Sequence, residues 1–168
     1  MPDNLTLRAH QELSQMEYSQ RVFATLKEGL AQGKSVTLPV VSESMSPLLR
    51  AGDTIIIKGI DSQARLSRFE IAVFVSGDAL CCHRVIFRLH NLQGLMYVTK
   101  PDKSLNCDEP FAPSDLIGKV AGIKKGKIFL KLEIFPWRQL NQFLGCIHLL
   151  LFELKSIFKR CPRQKIAC

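Results

Sequence analysis

The chain has no C-x-x-C pair and no zinc-finger spacing of Cys and His, so neither a structural metal nor any other cofactor is expected. It has no long apolar run. The most apolar stretch, residues 143–152, contains His148 and is too short to span a bilayer. The beginning of the chain carries Asp3, Arg8, Glu12 and Glu17 and lacks an apolar core, so a cleavable signal peptide is not expected. Aromatic and basic residues do not interleave as they do in nucleic-acid readers, and no nucleic-acid partner is expected. No internal repeat or low-complexity tract is visible.

What is present bounds the answer. At 168 residues and 46% hydrophobic, the chain is long and apolar enough for one packed domain with a short appendage. Its formal net charge is +8, and the excess gathers in the last third, at Lys124-Lys125-Gly126-Lys127 and at Lys155, Lys159, Arg160, Arg163 and Lys165. A membrane surface fits that distribution better than nucleic acid. Of the six cysteines, Cys81 and Cys82 are adjacent and would not bridge each other. Free thiols imply a reducing compartment, so the expected location is cytoplasmic or peripheral at a membrane.

The periodicity divides the chain in three. Residues 4–32 show helical spacing at Leu13, Met16, Phe23, Leu26 and Leu30, ending at Gly33; this helix accounts for the segment 1–34. Residues 35–133 read as strands near 37–41, 54–58, 70–75, 80–89, 95–100, 116–123 and 127–132, with a polar loop over 61–68 and turns at Gly52-Asp53, Gly77-Asp78, His90 to Gly94, and Gly126. Strands without intervening helices predict a mainly β fold, an antiparallel barrel or sandwich. Residues 134–168 form a basic extension with a second amphipathic helix. Two readings of that helix stay open: contact with a membrane surface, or packing on the domain or a partner.

Chemistry concentrates near Ser42-Glu43-Ser44-Met45-Ser46-Pro47-Leu48, a small polar loop between two strands. A serine hydroxyl becomes a nucleophile only if a base takes its proton, and a carboxylate-held His can do so. His10 and His148 fall on terminal helices and His90 in a turn, which leaves His83 as the strand-borne histidine. The carboxylates to weigh are Asp102 and Asp108, both in the irregular stretch after Lys100. A lysine base would have to be desolvated, and neither Lys58 nor Lys100 is embedded in apolar sequence.

Ser44-Met45-Ser46-Pro47-Leu48 followed by Gly52-Asp53 resembles the serine box of type I signal peptidases and LexA-type repressors. Glu70-Ile71-Ala72-Val73-Phe74 is similar to the next box, with Phe69 where Gly-Asp usually stands. His83-Arg84-Val85-Ile86 resembles the His-Arg-Val box of archaeal and endoplasmic-reticulum signal peptidases. Thr99-Lys100-Pro101-Asp102, with Asp108 beyond it, resembles the Thr-Lys-Gly-Asp box, and Leu116 to Val120 the strand that follows. The resemblance covers about residues 36–123 in consistent order. It implies Ser44 as nucleophile, His83 as general base, Asp108 as its carboxylate and Asp102 as a second organising acid. The Ser42 hydroxyl and the Ser44 N–H become oxyanion donors. A peptide or protein substrate is implied. Two further outcomes fit the same boxes: an inactive peptide-binding module and a self-cleaving LexA-like regulator.

Overall fold

The computed structural model describes residues 4–61, 65–92, 94–134 and 136–160. Cys161, Arg163, Lys165 and Cys168 lie outside them, as do the side chains of His10 and His148. The first helix, α1, is Asn4–Ala31. Seven strands follow: β1 Ser35–Pro39, β2 Thr54–Lys58, β3 Ile71–Ser76, β4 Ala79–Asn91, β5 Gly94–Lys100, β6 Leu116–Lys125 and β7 Ile128–Lys131. Helix α2, Trp137–Arg160, ends the described chain.

All neighbouring strands pair antiparallel, in the order β1-β2-β6-β3-β4-β5, with β7 also on β6. The mainly β class and both terminal helices are therefore present. The barrel or sandwich is corrected: the seven strands belong to one open sheet that does not close. Closure would require β1 to meet β5. Instead Phe111 exchanges backbone hydrogen bonds with Tyr97 on β5. Register shifts at Ile56/Ile57, Val73/Phe74 and Val85/Phe87 bend the sheet locally.

Strand β3 explains how an open sheet carries two cores. Successive side chains of a strand alternate faces. Ile71 and Val73 join a cluster with Leu30 of α1, Ile55, Ile57, Val120 and Ile123. Ala72 and Phe74 join a second with Leu66, Val85, Tyr97 and Phe111. A strand covered on both sides reads as a continuous apolar run rather than an alternating one. Residues 62–64 of the expected polar loop over 61–68 lie outside the described residues, and within its described part Leu66 is fully buried in the second cluster. His90 lies within β4, paired with Leu95, not in a turn.

Helix α2 meets the sheet through Trp137 and Leu144 and also through a small and a polar residue, Gly145 and Asn141. A Cβ on Gly145 would stand 2.6 Å from the Phe69 ring, so only glycine lets the helix approach this closely. Phe69 itself has φ 70°, in the left-handed region that costs a non-glycine residue on the order of 1–2 kcal/mol. Its backbone is held by Val85 O, which accepts the Phe69 N–H at 2.8 Å.

Candidate active site

The serine loop, residues 40–53, leaves β1 and returns to β2. Its two ends are tied by Val40 N–H to Asp53 O at 2.8 Å and Gly52 N–H to Val40 O at 3.0 Å. Met45, Leu48 and Leu49 are driven into the larger core and anchor the loop from beneath. The Glu43 carboxylate accepts Ala51 N–H at 3.0 Å. Asp53 accepts Arg50 N–H at 2.9 Å and Lys125 Nζ at 2.5 Å. Burial alone would raise the Asp53 pKa, but Lys125 and the Arg50 N–H outweigh it, and the net shift is downward. These contacts hold the polar segment 42–44 between fixed points.

Ser42, Ser44 and His83 line one cavity of about 220 Å³, with an apolar wall that includes Leu38, Val40, Val73 and Leu80. The Ser42 and Ser44 hydroxyls lie 3.2 Å apart. Among the described residues no hydrogen bond joins Ser44 to His83. Such contacts commonly tighten only when substrate arrives.

His83 sits mid-strand in β4, opposite Ala72 of β3, and its ring meets the edge of Phe74. Its Nδ1 is 2.8 Å from Asp108 Oδ2. A carboxylate accepts only, so a neutral His83 donates from Nδ1 and keeps its lone pair on Nε2. Asp108 Oδ2 also accepts the buried Thr99 hydroxyl at 2.6 Å, and Asp108 N–H donates to Thr99 O at 2.8 Å. Thr99 thus fixes the carboxylate that fixes the imidazole. No polar periodicity singles out Thr99; only its register on β5, opposite Val85, brings it there.

Asp102 is not in the cavity. Arg84, the residue after His83, points to the opposite face of β4, where Nε and Nη2 donate to the two Asp102 oxygens at 2.8 and 2.7 Å. Arg84 Nη1 donates to Phe69 O, to Asn141 O and, at 2.6 Å, to Asn141 Oδ1. Asn141 comes from α2, and no local sequence signal marks it. Next to Asp102, the Lys103 N–H donates to Ser44 O at 2.9 Å. The acid that the sequence places beside the site is therefore spent on Arg84, and it is the backbone of the next residue that meets the serine loop.

The lysine alternatives are placed differently. Lys58 pairs with Glu133 at 2.7 Å. Lys100 is buried at 3% exposure, contrary to its sequence surroundings, and does not line the Ser44 cavity. A second cavity of about 250 Å³ beside α2 is lined by Glu70, Lys119 and Glu133, which are ion-paired: Lys119 with Glu70, and Glu133 chiefly with Lys58. Among the described residues no group of three His, Cys, Asp or Glu side chains is arranged to hold a metal.

No known family model matches the chain, and no curated protein does. The site therefore stands on its own geometry. It puts Ser44 and a carboxylate-held histidine on the wall of one largely apolar cavity.

The vicinal thiols on that wall are poor nucleophiles. Burial pushes the Cys82 thiol up to about 12, with Cys81 and Asp102 adding to it. Burial, then Asp108, also raises Cys81. The thiolate is the reactive species. Of these three described cysteines, iodoacetamide at mild alkaline pH should modify exposed Cys146 first, Cys81 far more slowly and Cys82 last. Peptide mapping by mass spectrometry checks the order, and early modification of Cys82 would contradict it.

Proposed function

We propose that this chain is a serine endopeptidase of the signal-peptidase and LexA-like kind, and that its open sheet is a version of that fold. The observation that supports it most is the His83–Asp108 hydrogen bond on a histidine that shares a cavity with Ser44. As Ser44 Oγ attacks a peptide carbonyl, His83 Nε2 takes its proton and Asp108 steadies the imidazolium. The Ser42 hydroxyl and the Ser44 N–H donate to the oxyanion. His83 then protonates the departing amine. Water repeats the sequence on the acyl-enzyme, with His83 again as base. The apolar wall suits a small apolar side chain next to the scissile bond.

The competing reading is a peptide-binding module of the same fold. What favours it is the Ser44 hydroxyl being partnered by Ser42 rather than His83. Labelling with a fluorophosphonate separates the two. Wild type should be labelled at Ser44, and Ser44→Ala and His83→Ala should both lose the label. A folded wild type that takes up no label, or a Ser44→Ala variant that labels equally, would sink the peptidase reading.

A further inference from the structure

Helix α2 carries an apolar stripe and does not bury it. Helical spacing sets Leu140, Phe143, Ile147 and Leu150 along one side. The side turned to the sheet is different. Asn141 is buried against Arg84, Gly145 lies on the Phe69 ring, and Trp137 and Leu144 are half-buried on the larger core. Phe143 and Leu150 are each left 62% exposed, with Leu140 exposed beside them. Strand β7, against which α2 packs, adds exposed Ile128 and Phe129. Apolar surface gathered in this way marks a place of contact.

Charge says what the contact is. Within α2, Arg138, Lys155, Lys159 and Arg160 stand against one acid, Glu153. The β6–β7 hairpin presents Lys124, Lys127 and Lys131 to solvent, and residues 116–132 contain no Asp or Glu. A second copy of the chain would bring this cationic surface against its own like. Exposed apolar side chains on a helix of net positive charge, beside a hairpin that exposes three lysines, match the chemistry of an anionic lipid surface. Among the described residues no helix is long and apolar enough to cross a membrane, so contact in the plane of the interface is the geometry left to α2.

We infer that the outward stripe of α2, with the β6–β7 hairpin, docks this chain on an anionic bilayer. Leu140, Phe143 and Leu150 enter the boundary of the acyl chains, and the hairpin lysines meet the headgroups. The inference is independent of the chemistry at Ser44.

Cosedimentation of the full chain with vesicles tests it. Phosphatidylcholine vesicles containing phosphatidylglycerol should bind the protein, pure phosphatidylcholine much less, and added salt should weaken the binding. The double substitution Phe143→Asp with Leu150→Asp alters exposed positions, so the fold is retained, as circular dichroism would verify. It should lower the partition coefficient by roughly tenfold or more, because two apolar side chains no longer leave water. Three results would overturn the inference: folded wild type that ignores anionic vesicles, equal binding to neutral ones, or a double variant that partitions unchanged. A dimer dissolved by the double substitution, without vesicle binding, would assign the face to a second copy instead.

Discussion

Asp108→Ala is expected to slow acylation of Ser44 by about 10⁴-fold while leaving the protein folded. Asp108 lies in the loop after β5, and its side chain is partly open to solvent. Its loss removes no core packing. What goes is the acceptor of the His83 Nδ1–H at 2.8 Å. Without it the imidazole is free to carry its proton on either nitrogen, and the imidazolium formed during attack loses its counter-charge. Thr99→Val separates positioning from charge. It deletes only the hydroxyl that donates to Asp108 at 2.6 Å and keeps the backbone link from Asp108 N–H to Thr99 O. An acylation loss of about tenfold is expected there, in line with removal of one hydrogen bond to a charged group. The measurement is the second-order rate of fluorophosphonate labelling for wild type and both variants. If Asp108→Ala labels within tenfold of wild type, His83 is not held by this carboxylate during the reaction.

The strands were legible because their turns carry distinctive chemistry. Gly52, Gly77, Gly94 and Gly126 all take positive φ at the places where the pattern breaks. Box order singled out Ser44, His83 and Asp108: His83 has a fixed register in β4, and the loops that carry Ser44 and Asp108 are tied to their surroundings by backbone hydrogen bonds. Sheet order was not legible. Strand β6 inserts between β2 and β3, which are neighbours in sequence, and such non-local pairing leaves no local trace. Burial of Lys100 and Leu66 was hidden for the same reason, since tertiary neighbours supply the cover. Helix α2 shows the limit of pattern reading most clearly. Its apolar stripe suggests which side packs, yet Asn141 and Gly145 face the sheet, because the buried guanidinium of Arg84 needs acceptors more than the core needs another leucine.

That guanidinium carries the largest expected effect on stability. Arg84 is 0% exposed, and it joins β4, the loop after β5, the turn at Phe69 and α2 through five hydrogen bonds. Asp102→Ala would leave its charge buried with neutral acceptors only. Breaking a buried pair from one side costs about 3–5 kcal/mol. Small domains have only about 5–15 kcal/mol in total. The variant should therefore unfold at markedly lower urea, and a loss below about 1 kcal/mol would show that the pair is solvated in solution. Arg84→Lys should not rescue the site, since an ammonium cannot serve both Asp102 oxygens and Asn141 with a planar fork. The double replacement Arg84→Met with Asp102→Leu removes both charges and should recover most of the lost stability. Activity need not return with it. The Lys103 N–H that holds Ser44 O follows directly on Asp102, so the serine loop depends on where the pair places that backbone. Stability regained without acylation would mean that Arg84 and Asp102 position the nucleophile, whereas recovery of both would confine them to the fold.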